Sequence, residues 1–307
     1  MRGGLYVTGA ASFVAGALIP TARKRGWRTG GVDLAPLVGE GFSRGDIADP
    51  DLADLMPPDL DAVVHLAGLT RDADCRGRAR DCFAANVVGS LKVAEAAQRR
   101  GARQLVFVST EWVYDRPERA EGCGEDIAID GRRLQAEYAL SKLTAEQALR
   151  QYCAQAGLPL TVLRFGIIYG ERDNNWGAVE SLVHQVATTT QISVGARGTA
   201  RRYIHVDDIA DAICTAIAGG DEAADTFNIV GPRLVSLGEV IETAATLLDR
   251  QPKVIEQAPE QPSIRRIRSD KAERVLGWRA DIDIETGIAR FIRHLSCSTD
   301  PAAMVPA

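Results

Sequence analysis

Tyr138 and Lys142 lie four residues apart in a stretch, Glu137 to Ala156, that has helical spacing and is stopped by Gly157. On a helix, two residues at that spacing share one face. Thr110 follows a run of strand character, Gln104-Leu105-Val106-Phe107-Val108, and a hydroxyl at a strand end can meet that helix face across a cleft. A phenol, an ammonium and a hydroxyl together make a proton-handling device. A free tyrosine has a pKa of about 10 and is a poor base at neutral pH. A nearby ammonium stabilises the phenolate and lowers that value. Tyr138 is then able to take a proton from a carbinol as hydride leaves the same carbon. The Tyr-x-x-x-Lys spacing alone is common, so an unrelated helix surface stays open as a reading until a cofactor site is found.

The elements that would position the trio alternate in type. Strand character marks Gly4-Leu5-Tyr6-Val7-Thr8-Gly9, a run closing at Gly31-Val32-Asp33, Ala62-Val63-Val64-His65-Leu66, residues 104–108, and Leu160-Thr161-Val162-Leu163-Arg164. Helical spacing runs over Phe13 to Lys24, Asp81 to Arg100 and Glu137 to Ala156, ended by Gly26, Gly101 and Gly157. Alternation at these lengths predicts right-handed βαβ units and a parallel sheet covered on both faces, an α/β fold. Past Tyr169 the pattern turns irregular. It predicts a loop and helix over 170–190, a short strand at Ile192-Ser193-Val194, a helix entered through residues 201–208, and a strand at Phe227-Asn228-Ile229-Val230. Ser236 with Glu239 reads as the capping box of a helix over Leu237 to Leu248. Asp270 to Leu276 reads as a short helix before a C-terminal one.

Thr8-Gly9-Ala10-Ala11-Ser12-Phe13-Val14-Ala15 occupies the first strand-to-helix turn. A dinucleotide fold sets the pyrophosphate against such a turn, where free N–H groups and the helix dipole favour anions. The usual three glycines are reduced to Gly9; Ser12 and Ala15 hold the other two places, and Gly16 next door would relieve the extra methyl of Ala15. Ser12 has a hydroxyl to offer a phosphate. Asp33, 24 residues after Gly9, stands where a carboxylate accepts from both adenosine ribose hydroxyls and repels a 2′-phosphate, which favours NAD over NADP. Asp46 and Ile47 suit an adenine clamp, a carboxylate for the exocyclic amine and an apolar residue against the ring. These readings place an NAD-binding domain over 1–165, with 200–230 returning to it. Residues 166–199 and 231–296 form a smaller substrate-binding part, and 297–307 a frayed tail.

The 307 residues are 46% apolar and 25% charged, ordinary for a soluble globular protein, and the formal net charge of −5 without a long basic stripe makes a nucleic-acid binder an unfavoured reading. No apolar run approaches the ~20 residues that span a bilayer. Strand character begins within a few residues of Met1, which leaves no room for a cleavable signal, and the six cysteines form no Cys-x-x-Cys pair. A cytoplasmic protein with reduced thiols is expected. His65, His184 and His205 have no metal-ligand spacing, and His65 and His205 read as structural.

The ordered set Thr8-Gly9-x-x-x-Phe13-Val14, Asp33, Gly45-Asp46-Ile47, Val64-His65-Leu66-Ala67-Gly68, Asn86-Val87-Val88-Gly89, Ser109-Thr110-x-x-Val113-Tyr114, Tyr138-x-x-x-Lys142, Leu163-Arg164-Phe165-x-x-x-Tyr169-Gly170, Arg201-x-Tyr203-Ile204-His205-Val206-Asp207-Asp208 and Leu276-Gly277-Trp278 covers nearly the whole chain. It resembles the extended short-chain dehydrogenase/reductase family, and within it the nucleotide-sugar epimerase/dehydratase branch (UDP-glucose 4-epimerase-like). The resemblance implies a Rossmann doubly wound sheet, bound NAD, a nucleotide-diphosphate sugar substrate and a homodimer packed through helices near 86–100 and 138–153. It assigns Thr110, Tyr138 and Lys142 to catalysis. Gly9, Ser12, Phe13, Val14, Asp33, Asp46, Ile47, Leu66, Ala67, Gly68, Asn86, Phe165, Tyr138 and Lys142 would face the cofactor. Thr70, Glu111, Trp112, Asn174, Asn175 and Arg201 would face the substrate, Arg201 at a phosphate and Trp176 adding a stacking face.

The chain departs from that pattern in three places. The family's 4,6-dehydratases carry Asp-Glu after the hydroxyl residue, but here the pair is Glu111-Trp112, so half of the acid–base pair for removing water is gone. Ile167 stands where many epimerases have Asn. Residues 258–263 replace the Arg-Pro-Gly-Asp segment, with Arg265, Arg266 and Arg268 near enough to supply charge. An NAD-dependent 4-epimerase is the leading expectation. A sugar dehydrogenase or 4-keto-sugar-nucleotide reductase of the same family is the alternative, and a non-catalytic dinucleotide sensor is a third reading of another class.

Overall fold

The computed structural model describes residues 3–298, and only the backbone of residue 298. Seven strands of these residues form one parallel sheet: β1 Gly4–Thr8, β2 Arg28–Asp33, β3 Phe42–Arg44, β4 Leu60–His65, β5 Leu105–Thr110, β6 Leu160–Phe165 and β7 Thr226–Ile229. Their order is β7-β6-β5-β4-β1-β2-β3. The order in which the chain adds strands therefore reverses between β1 and β4. At such a switch point the connections leave toward opposite faces and open a crevice beyond the strand C-termini. Buried runs such as Val63-Val64 and Leu105-Val106-Phe107 follow from helices covering both faces.

The helices Phe13–Lys24 and Val206–Gly219 pack together on one face, over a core that includes Leu18, Val64, Ile209 and Ile213. The other face carries Gly89–Arg99 and Glu137–Ala156, over Val93, Phe107 and Leu149. A third core joins Ala178–Thr188, Leu237–Leu248 and the C-terminal helix Ile284–Ser298 around Val183, Ile241 and Phe291.

The long helix expected over 81–100 is built in pieces. Ala79–Phe83 leads into a π-helical turn, Ala84–Val88, before Gly89–Arg99. Such a turn adds a residue to the backbone ladder and is common at functional sites. The strand Phe42–Arg44 carried no period of its own in the sequence, because only three residues pair along the edge of β2. The capping box of Ser236 and Glu239 forms as expected, Ser236 accepting from the Glu239 N–H at 3.1 Å. Cys297 is still helical, so the chain remains ordered where a frayed tail was expected to begin. Residues 299–307 lie outside the described residues.

Candidate active site

Thr110 ends β5, and Tyr138 and Lys142 rise from the first turns of Glu137–Ala156. The Thr110 hydroxyl lies near enough to Tyr138 to favour its phenolate, and it accepts from the Trp112 N–H at 3.3 Å, so sheet and helix bring the pair together. Lys142 is buried, with Nζ 4.2 Å from the centroid of the Phe107 ring. Burial pushes the Tyr138 phenol up to about 12, against the pull of the Thr110 hydroxyl. That direction is opposite to the one expected from a flanking ammonium, because desolvation is the largest influence on the phenol. The same burial draws Lys142 down to about 8, with Glu146 opposing.

A network that the sequence did not reveal anchors this helix. Glu146 lies one turn past Lys142 and is wholly buried. Arg164 of β6 pairs with it through Nη2 at 2.6 Å and Nε at 3.0 Å, and the Ser109 hydroxyl donates to it at 2.5 Å. Arg164 also donates to the Tyr114 hydroxyl, which donates to Asn228. Ser109 precedes Thr110, so Glu146 ties the catalytic helix to the catalytic strand. The only advance sign was that Glu146 shares the helix face of Lys142.

Beside Thr110, Glu111 is fully buried and Trp112 is 38% exposed. Arg265 reaches in from the C-terminal part. Its Nε stands 3.2 Å from Glu111 Oε1, its Nη2 donates to the Glu111 carbonyl at 3.1 Å, and its guanidinium covers the Trp112 ring at 4.5 Å. Burial raises the Glu111 carboxyl to about 7, with Arg265 and then Arg201 pulling it down. Arg201 donates to the Ser263 carbonyl at 2.7 Å and hydroxyl at 3.1 Å. Of the three arginines expected to compensate for the missing segment, Arg265 is the one the fold carries to the catalytic turn.

A cavity of about 510 Å³ opens at the switch point. Gly9, Ser12, Asp33, Asp46, Ile47, Leu66, Ala67, Gly68 and Thr70 all line it. Gly9 has φ +72°, and a Cβ there would stand 2.7 Å from the Ala67 nitrogen. Ser12 caps the following helix by accepting from the Ala15 N–H at 3.3 Å, which leaves its O–H free to donate. Asp33 accepts from the Ala11 and Ala35 N–H groups at 3.0 and 2.9 Å. Gly16 faces open space while Ala15 is buried in the core, so Gly16 gives none of the expected relief. Leu34, Leu69, Ala84 and Ala85 are wall residues that the sequence did not single out; Ala84 and Ala85 come from the π-helical turn.

The remaining expected residues stand elsewhere. Asn86 is buried behind the wall, where it binds both backbone groups of Leu69 and donates to Ser141. Phe13 lies under the Arg172 guanidinium, and Val14 and Phe165 pack in the core. Asn174 is exposed, and the Asn175 carbonyl accepts from Arg71 at 3.2 Å. Trp176 is half-buried, with the His184 ring centroid 4.6 Å from its own and Phe291 meeting it edge-on. His65 is fixed between Thr8 at 2.7 Å and Ser90 at 2.9 Å, and burial lowers it to about 3. Among the described residues no group of three His, Cys, Asp or Glu side chains could hold a metal, and no helix is long and apolar enough to cross a membrane.

The sheet order, the crevice and the Tyr–Lys pair define a short-chain dehydrogenase/reductase fold of the extended kind. The model of the NAD dependent epimerase/dehydratase family matches residues 5–230, and the chain belongs to that family. It is 28% identical to the UDP-glucose 4-epimerase of Mycolicibacterium smegmatis, over 93% of this chain and 96% of that one. It is 26% identical to the GDP-6-deoxy-D-mannose reductase of Pseudomonas aeruginosa, over 81% and 85%. Among solved structures, MoeE5 in complex with UDP-glucuronic acid and NAD superposes with a TM-score of 0.85 at 25% identity, covering 96% of this chain and 99% of that one.

Proposed function

We propose that the protein is an NAD-dependent nucleotide-sugar epimerase that inverts C4 through a transient 4-keto sugar. The observation that carries this reading is the meeting of Thr110, at the end of β5, with Tyr138, and Lys142 buried one helical turn on. The full-length likeness to a UDP-glucose 4-epimerase supports it.

The residues present fit the cofactor. Gly9 lets the backbone of the first turn approach a pyrophosphate, Ser12 offers a free O–H, and Asp33 at the cavity wall suits a ribose diol. Asp46 and Ile47 would hold the adenine. When bound, the dinucleotide supplies a hydride acceptor and donor. Tyr138 would take the proton of the C4 hydroxyl and later return it, Thr110 would hold the reacting oxygen, and the Lys142 ammonium would favour the phenolate. Arg201 would meet the diphosphate; Thr70, Asn174, Asn175 and Trp112 would bound the sugar nucleotide. Loss of water is disfavoured, since Trp112 carries no exchangeable carboxyl proton and Glu111 is shut in against Arg265. A homodimer through residues 86–100 and 138–153 fits the exposure of Val88, at 53%.

The likeness to a reductase keeps a second reading in play, reduction of a 4-keto sugar nucleotide. The test is incubation of the purified protein with UDP-, GDP-, CDP- and dTDP-sugars, products resolved by NMR. Interconversion of C4 epimers without net change in NADH absorbance is expected. Stoichiometric NADH consumption would favour the reductase. Absence of any turnover, with Tyr138→Phe equivalent to wild type in every assay, would leave only a dinucleotide-binding sensor.

A further inference from the structure

Cys75 and Cys82 place their sulfurs 2.8 Å apart. Non-bonded sulfurs ordinarily stand farther away than this, and a disulfide needs an S–S distance of about 2.05 Å. Both cysteines are buried, yet every residue between them, 76–81, is exposed. The two thiols thus close a loop of short helical turns, Asp72–Cys75 and Ala79–Phe83, joined across Arg76-Gly77-Arg78. This loop lies directly behind the catalytic helix. Cys82 donates to the Ser141 hydroxyl at 3.3 Å and accepts from Asn86 Nδ2 at 3.6 Å, and the Gly77 N–H donates to Glu137 at 3.1 Å. Ser141 precedes Lys142, and Glu137 precedes Tyr138. Neither sulfur touches substrate or cofactor in the mechanism above.

We propose that Cys75 and Cys82 are an oxidative modification site that forms an intramolecular disulfide when the protein meets a peroxide. In the closed loop burial holds the Cys75 thiol well up, to about 12, so the pair stays reduced and inert. The loop has an exposed outer surface and few buried side chains of its own, which makes it a unit that opens locally ahead of the sheet. In the open form the thiols recover ordinary acidity. The Cys82 thiolate then attacks one peroxide oxygen, the O–O bond breaks, and hydroxide leaves and is protonated to water. Cys75 sulfur attacks the resulting sulfenic acid, the S–S bond forms, the S–O bond breaks, and a second water leaves with the Cys75 proton. Two thiols are oxidised by two electrons and one peroxide is reduced to two waters. The product fastens residues 75–82 as a closed ring against the helix of Tyr138 and Lys142 and removes the Cys82 S–H from Ser141.

The test treats the protein, freshly reduced and desalted with its bound nucleotide, with graded hydrogen peroxide. The free thiols are then alkylated under denaturing conditions and mapped by tryptic peptide mass spectrometry. Trypsin cuts at Arg76, Arg78 and Arg80, so a disulfide appears as a linked pair of separate peptides. The expected result is that alkylation at Cys75 and Cys82 falls in parallel, at least fivefold, with that linked pair recovered and dithiothreitol restoring both sites. Exposed Cys297 serves as the marker that oxidant was active. The proposal is overturned if both sites stay fully alkylated once Cys297 is oxidised, or if Cys82 ends as sulfinic acid or in a different pairing. The result does not depend on which sugar, if any, the protein turns over.

Discussion

Arg265 and Glu111 form a buried ion pair, Nε to Oε1 at 3.2 Å, on the turn that directly follows Thr110. Breaking such a pair from one side leaves an uncompensated charge and costs about 3–5 kcal/mol, whereas replacing both partners can be near neutral. Arg265→Met is therefore expected to lower stability by up to about that amount in urea titration above about pH 8, where Glu111 is ionised, and Glu111→Gln with Arg265→Met to recover most of it. Equal loss in the single and double variants would show that the pair does not act as a unit.

Glu111 also makes a signed pH prediction. Its folded pKa, about 7, lies above that of a free carboxyl, so the folded state binds the extra proton. Its contribution to stability is full below about pH 4.3 and is lost as pH rises through about 7. The stability difference between Glu111→Gln and wild type should shift in favour of the variant across that interval. A difference that is flat with pH would mean the carboxyl titrates normally.

Tyr138→Phe should cost about 10²–10⁴ in turnover, the usual worth of a positioned acid–base group. Bound nucleotide should remain, since the residue has no part in the turn around Gly9. Lys142, drawn down to about 8, should give an alkaline limb near that pH in the turnover profile. In Lys142→Arg that limb should move up, because a guanidinium stays charged. A wild-type profile flat past pH 9 would argue that the ammonium charge is not used.

Gly9→Ala places a methyl 2.7 Å from the Ala67 backbone at φ +72°. Protein that folds should come off the column without nucleotide. Ser12→Ala removes a helix cap and should cost about 1 kcal/mol, with weaker nucleotide retention; Ser12→Gly should cost only a few tenths. Melting scans with and without added NAD separate the two effects.

The Glu146–Arg164 pair should matter to catalysis as well as to folding. Glu146→Gln keeps an oxygen for Ser109 but leaves the buried Arg164 charge uncompensated. A loss of about 3–5 kcal/mol should come with reduced turnover per folded molecule. Turnover per nucleotide-bound molecule unchanged from wild type would confine the pair to stability.

The sequence by itself determined the alternating strands and helices, the first turn around Gly9, the helix of Tyr138 and Lys142, and Ser236 as a cap. These are local consequences of period, of capping chemistry and of glycine at the stops, and they need no partner from afar. Other features existed only once the chain had closed on itself. The π-helical turn at 84–88 lines the cavity, but its backbone departs from the α pattern without changing the apolar spacing. Asn86 binds the loop at Leu69 rather than facing the cavity, Trp176 packs on Phe291, and Arg265 crosses from the C-terminal part to Glu111. Each of these was decided by contacts between residues far apart in sequence, where a side chain's charge or ring can be read in advance but its partner cannot. Desolvation follows the same rule. The tertiary structure alone set how deeply Tyr138, Lys142 and Glu111 are buried, and that depth moved their proton affinities more than their neighbours in sequence did.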